Sequence, residues 1–345
     1  MRGLAKVARN EGAMQLIDRP KPTPAENEVL VEVKYAGLCG SDAGIYKFKS
    51  AFERMDLPTV IGHEYAGCIV ETGANVSSYN IGDHVVERPI RPCGDCYQCQ
   101  IGEENICQNT ALTGIDHDGA YEKYIAVPED VLHSVPSDIP LNHAAIAEPT
   151  AIAVRAVTKN SRVEPGDRVL VEGPGPIGLL TAQIADAQGG DVVISGIGRD
   201  ANYRLPLARE LGFEIMNAGE DDLEAVRRDK TDGAGYDVIF DTTGHPSGLT
   251  TAFEEVRKGG QVVLVGQTGE TTMAYTPLVR SEIDIQCTYG ALFDDFERAF
   301  RIIQSGDVDA ETFIDDRFSL FDVEEAFEAF LASKTAKPVF DISEL

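Results

Sequence analysis

Four of the chain's seven cysteines, Cys93, Cys96, Cys99 and Cys107, fall within residues 91–107, at gaps of two, two and seven. A gap of two makes a turn tight enough to bring both sulfurs to about 2.3 Å from one cation, and a fourth thiol returning from a short loop completes a tetrahedron. Gly94 and Gly102 give that loop freedom to turn. With every position held by protein sulfur, no place remains for water or substrate, so the expected zinc would staple a loop and take no part in catalysis. An odd cysteine total, and an opening segment without an apolar run of signal-peptide length, argue against disulfides. The long last gap, with no proline after Cys107, argues against an iron–sulfur cluster.

A second set is scattered. Cys39 lies in YAGLCGSD, His63 and Glu64 in IGHEYAG, and Glu148 in IAEPTAIAVRA. Singly, Cys39 reads as a small apolar residue at a strand end and His63 as a satisfied turn histidine. Their company changes the reading, because GHE follows a turn at Pro58 and precedes the strand-like YAGCIVETG.

From residue 167 onward the pattern becomes short apolar runs separated by amphipathic stretches, with strand-like runs at 168–172, 191–195, 237–240, 261–265 and 283–288. Such alternation predicts a parallel, doubly wound α/β sheet. Gly173, Gly175 and Gly178, with Pro176 and Ile177 between the last two, form G-x-G-x-x-G at the junction of the first strand and its helix. There the backbone can approach a pyrophosphate at a helix N-terminus, so a dinucleotide is expected. The second strand ends on Gly196 where an NAD site normally places an acid, and Arg199 and Arg204 follow. Guanidinium groups suit a 2′-phosphate, which favours NADP, while Asp200 keeps NAD open.

With these motifs the chain resembles the zinc-dependent medium-chain dehydrogenases, in particular the polyol, sugar and threonine branch. The resemblance rests on CGSD, GHE, the four-cysteine lobe, EP at 148 and GPGPIG. It implies a β-rich, GroES-like catalytic domain over residues 1–150 and 286–345, carrying the lobe at 91–107, and a Rossmann nucleotide domain over 151–285. It implies two zinc ions per chain, one in the lobe and one held by Cys39, His63 and Glu148, with Glu64 able to enter or leave its coordination. An open fourth position would activate an alcohol for hydride loss to the cofactor. Asp42 would orient the ligating histidine and Ser41 would take the alcohol proton. Many relatives place a relay histidine where this chain has Gly44, so a cofactor ribose hydroxyl with water, or less simply Lys47, is expected to replace it. Thr243, Val265 and Gly266 would border the nicotinamide, and Arg88 and His117 are candidates for substrate hydroxyls. Relatives pair nucleotide-domain sheets edge to edge, so a homodimer or homotetramer is expected.

The bulk composition agrees with an enzyme of small molecules. At 345 residues the chain suits two domains. A formal charge of −27 would repel nucleic acid and anionic membrane surfaces. No uninterrupted apolar run is long enough to span a bilayer, and the reading is cytoplasmic. The dispersed acidic shell suits concentrated salt, so a salt-loving source is expected. His133 and His143 are expected at the surface, His245 in a turn, and Cys68 and Cys287 in the core. The leading expectation is a sugar or polyol dehydrogenase using NADP, or alternatively NAD. L-threonine or another secondary alcohol is the nearest competing substrate, and a zinc-stabilised NADPH-binding module without turnover is the competing class.

Overall fold

The computed structural model describes residues 1–267 and 270–343. The strand Glu28–Gly37, EVLVEVKYAG, carries Val29, Val31 and Val33 at alternate positions, all buried. It lies inside a seven-stranded sheet ordered Leu132–Ser134, His84–Glu87, Glu64–Thr72, Glu28–Gly37, Pro338–Asp341 and Asp316–Ser319, with Tyr124–Pro128 also paired to it. The strand Pro338–Asp341 runs antiparallel to Glu28–Gly37, pairing Val339 with Gly37 and Asp341 with Tyr35. The chain's last described strand thereby completes the sheet begun by its first hundred residues.

The second sheet is parallel, ordered Glu214–Asn217, Asp191–Gly196, Arg168–Glu172, Tyr236–Asp241, Val256–Leu264 and Asp284–Cys287. Helices cover both faces, which is why Val169, Leu170 and Val171 form a continuous buried run with no polar alternation. The expected strand-like runs all appear here, whereas Glu214–Asn217 was not read from the sequence. Four residues at a sheet edge, with Glu214 exposed, are too short for a period-2 signal.

The strand Asp284–Cys287 crosses the expected boundary after residue 285, and the helix Phe293–Ser305 packs on Ala147–Thr158 in the nucleotide-half core. Return to the catalytic sheet comes only at Asp316–Ser319. Two side-chain expectations are corrected. His133 is buried, not at the surface, with its ring 4.5 Å from those of Phe293 and Phe296. Cys287 is exposed on the sheet edge, and Cys68 is only partly buried, so neither is a core residue. No described helix is long and apolar enough to cross a membrane.

Candidate metal and dinucleotide sites

The candidate metal pocket is built where the strand Glu28–Gly37 ends and the helix Gly40–Tyr46 begins. Cys39 occupies the N-cap in extended conformation, and its N–H donates to Asp42 Oδ2 at 3.0 Å. Asp42 Oδ2 also accepts from the Tyr121 hydroxyl at 2.8 Å, while Oδ1 faces His63 Nδ1 at 3.8 Å. Tyr121 reaches that position because Gly62, at φ +94°, has no side chain; a Cβ there would stand 2.3 Å from the tyrosine ring. The glycine of GHE is therefore required on two counts, backbone angle and close packing.

Ligand atoms of Cys39, His63 and Glu64 lie within 4.8 Å of one another. Glu148, in the first turn of Ala147–Thr158 and expected as the third ligand, is not in this group, where Glu64 stands instead; it interacts electrostatically with His63, Glu64 and Asp42. Burial pushes its pKa up to about 7, and neighbouring Glu64 adds to the rise. Burial pulls the His63 pKa down, but Cys39, Asp42 and Glu148 outweigh it and hold the imidazole well above its usual value. A pocket that raises an imidazole's proton affinity in this way attracts cations generally. Thiol, imidazole and carboxylate donors at this spacing fit zinc. Beside them, Ser41 Oγ and Asp42 Oδ1 are buried without hydrogen-bond partners.

Glu64 has a partner that sequence reading missed. Lys337 Nζ pairs with its carboxylate and donates to Leu38 O at 3.2 Å, and both charged side chains are sealed from solvent. The only local signal was a lysine immediately before the apolar run PVF. Gly44 also acquires a reason: a Cβ there would lie 2.6 Å from the Phe52 ring, so an aromatic edge fills the space a side chain would need. Lys47 is exposed at the opposite end of the helix from Cys39.

In the lobe, Cys96 Sγ lies 3.5 Å from Cys99 Sγ and 3.8 Å from Cys107 Sγ, and Cys107 Sγ lies 3.5 Å from Cys93 Sγ. A tetrahedron with bonds of about 2.3 Å has edges of about 3.8 Å, so the four sulfurs fit one zinc. Backbone amides of Cys93 and Asn109 donate to Cys107 Sγ, each at 3.3 Å, and Gly94 and Gly102 sit at φ +79° and +82°. Amides of Cys99 and Gln108 lower the Cys96 pKa to about 6. None of the seven cysteines forms a disulfide.

The nucleotide half places Gly173 at φ +95° and Gly175 at the N-cap of Pro176–Ala187, with Pro176 at its first turn. A Cβ on Gly178 would fall 1.9 Å from Gly173 O, so the helix can seat against the loop only through glycine. Ile177 lies in the same first turn. Above the loop opens a cavity of about 360 Å³ bordered by Gly173, Gly175, Gly196, Arg199, Thr242 and Thr243. Thr243 Oγ1 donates to Asp241 Oδ1 at 2.6 Å, and the amides of Val265 and Gly266 donate to Asp241 O, which fixes these strand ends together.

Arg204 and Asp200 also border this cavity, and both carry partners of their own. Arg204 is buried beneath the cavity, and its guanidinium donates to Thr335 O at 2.9 Å and Phe330 O at 3.1 Å, which ties this wall to the chain's C-terminal region. Asp200 Oδ2 accepts from Ile197 N at 3.1 Å and is buried in its own turn. Arg88 is tied to Glu104 of the lobe at 2.5 Å, and neither it nor the exposed His117 joins the Cys39, His63 and Glu64 group. Arg199 remains exposed at the cavity.

Residues 25–137 match the family model of the alcohol dehydrogenase GroES-like domain, and residues 176–305 match that of zinc-binding dehydrogenases. The chain is 32% identical to a sorbitol dehydrogenase of Halalkalibacterium halodurans, covering 98% of each chain. It is 33% identical to an L-threonine 3-dehydrogenase of Burkholderia mallei, covering 99% of each. An Escherichia coli alcohol dehydrogenase solved with NADH superposes with a TM-score of 0.90 at 28% identity, covering 99% of each chain.

Proposed function

The chain belongs to the zinc-dependent medium-chain dehydrogenases, within their polyol and threonine branch, and from that premise we propose that it oxidises a secondary hydroxyl of a sugar or polyol with NADP. The observation that carries this reading is the Cys39, His63 and Glu64 group beside the orphaned Ser41 hydroxyl. Zinc bound there would supply Lewis acidity toward an alcohol oxygen, and the nicotinamide would supply the hydride acceptor. Cys39, His63 and Glu64, with Glu148 nearby, would hold the ion. Asp42, itself held by Tyr121, faces the His63 ring and keeps it oriented. Ser41 Oγ, buried and unpartnered, accepts the substrate's hydroxyl proton. The proton's outward path avoids position 44, where Phe52 fills the space.

Gly196 and the exposed Arg199 support NADP over NAD, because no acid ends the second strand to repel a 2′-phosphate. The carboxyl of Glu148, electrostatically linked to the His63 and Glu64 pocket, also suits a substrate ammonium, which keeps L-threonine as the second reading. In this reading the lobe zinc is structural, and Thr243, Val265 and Gly266 line the nicotinamide end of the cleft. The exposed outer strand Asp284–Cys287, preceded by exposed Tyr275 and Val279, supports edge pairing with a second copy as a homodimer or homotetramer. Cysteines arranged to hold zinc and joined by no disulfide suit a reducing cytoplasm.

Metal counting with a substrate panel tests the whole. Two zinc ions per chain are expected, with turnover on sorbitol, other polyols or aldoses lost in Cys39→Ser together with one ion. One zinc per chain and no turnover on any of these, or on threonine, would instead leave a zinc-stabilised binding module.

A further inference from the structure

One side chain of the four-cysteine lobe crosses to the nucleotide half. Asn105 lies in the short helix Glu104–Ile106, between Cys99 and Cys107, and is 3% exposed. Its side-chain amide donates to Tyr289 O at 2.7 Å, joining positions 184 residues apart. Tyr289 stands just past the outer strand Asp284–Cys287 of the parallel sheet. Next to it Gly290 sits at φ +62°, and a Cβ there would stand 2.5 Å from Ile90 Cδ1 and 3.2 Å from Asn105 Cβ. Backbone of the nucleotide half is therefore pressed directly against the lobe and the strand that leads into it. The lobe helix is itself anchored to the catalytic half, through Glu104 and the buried Arg88.

The segment held in this way carries a side chain beside the metal pocket. Tyr289 is 40% exposed, and Arg54, Asp116 and Glu148 all lie within electrostatic reach of its phenol. Arg54 and Asp116 form a two-bond ion pair at 3.0 and 2.8 Å, and Glu148 is electrostatically linked to His63 and Glu64. A partly open phenol in this place can both donate to and accept from a substrate hydroxyl. Its position depends on the backbone that carries it, where Thr288 N bonds to Leu264 O and Tyr289 O is taken by Asn105. An amide suits that bond, since a carboxylate in its place would set oxygen against oxygen.

We propose that Asn105 is a positioning residue for the alcohol substrate: through this hydrogen bond the zinc lobe fixes the backbone that sets the Tyr289 phenol beside the metal pocket. On the dehydrogenase reading above, on which this rests, the phenol binds a substrate hydroxyl other than the one oxidised. The lobe then contributes to substrate affinity without touching the reacting atoms.

The test is steady-state kinetics of the zinc-loaded protein with sorbitol and with L-threonine, alongside zinc counting and NADPH titration by nicotinamide fluorescence. Asn105→Asp should raise the KM for the substrate that wild type uses about tenfold, with kcat, two zinc ions per chain and NADPH affinity unchanged. Tyr289→Phe should raise the same KM, and the double variant should be no worse than Tyr289→Phe alone, because Asn105 acts through that phenol. An unchanged KM in Asn105→Asp overturns the proposal, as do losses that add in the double variant. If Asn105→Asp loses a zinc ion, Asn105→Ala, which adds no charge, decides by the same two readings. Zinc loss in both variants would mark Asn105 as part of the lobe's own fold and overturn the proposal too. Turnover of neither sorbitol nor L-threonine by wild type would overturn the substrate reading itself, and this proposal with it.

Discussion

The ammonium of Lys337 closes on the carboxylate of Glu64, 273 residues earlier in the chain, with both side chains out of contact with solvent. Gly37 makes the meeting possible, since a Cβ there would stand 2.5 Å from Glu64 Oε2 and 2.9 Å from Lys337 Cε. The pair joins the C-terminal strand to the metal pocket, and it competes with a cation for the same carboxylate.

Lys337→Met should destabilise the protein by about 3–5 kcal/mol, because it strands a buried charge. Adding Glu64→Gln should recover much of that loss. Denaturant unfolding of the two single variants and the double variant measures the coupling; additive losses would show that the pair does not interact.

Gly44→His, which installs the relay histidine found in many relatives, should not restore a relay here. The new Cβ meets the Phe52 ring, and overpacking of this kind costs about 1–3 kcal/mol. Phe52→Ala in the same chain should relieve the strain. Thermal melts of the single and double variants give the comparison, and a pH–rate profile shows whether a new ionisation has entered catalysis.

Arg199 and Arg204 should separate cleanly. Arg199→Ala should raise the KM for NADPH about tenfold and leave that for NADH nearly unchanged, as loss of a phosphate-pairing guanidinium requires. Arg204→Ala should leave the cofactor ratio unchanged and lower stability by about 2 kcal/mol, since it strips donors from Thr335 O and Phe330 O. Steady-state kinetics with each cofactor, alongside unfolding curves, distinguishes the two roles.

His133 should make the protein acid-sensitive. Burial, with Arg88 nearby, lowers its pKa from 6.5 to about 3, and neither ring nitrogen has a hydrogen-bond partner, although Glu297 lies 3.5 Å from Nδ1. Between those values the unfolded chain binds the extra proton, so its contribution is full above pH 6.5 and is lost as pH falls toward 3. His133→Phe should flatten that limb of the stability profile; an unchanged slope between pH 6.5 and 4 would remove His133 as its source.

What could be read from the sequence was whatever short covalent spacing controls. Cys93, Cys96 and Cys99 can meet because two-residue gaps leave little other choice, and Gly173, Gly175 and Gly178 can turn only at the strand–helix junction. The alternation of apolar runs likewise dictated a parallel sheet. Tertiary structure alone decided which distant side chains share a pocket. Lys337 reaches Glu64 only because Pro338–Asp341 lies beside Glu28–Gly37, and Phe52 excludes a side chain at 44 only because its loop folds back on the helix. Arg204 borders the nucleotide cavity, and only the fold reveals that its guanidinium also holds the C-terminal carbonyls at Phe330 and Thr335. In each case the energy lies in burial and pairing between segments far apart along the chain. Local propensity and spacing carry no record of such partners, because they exist only once strand order is set.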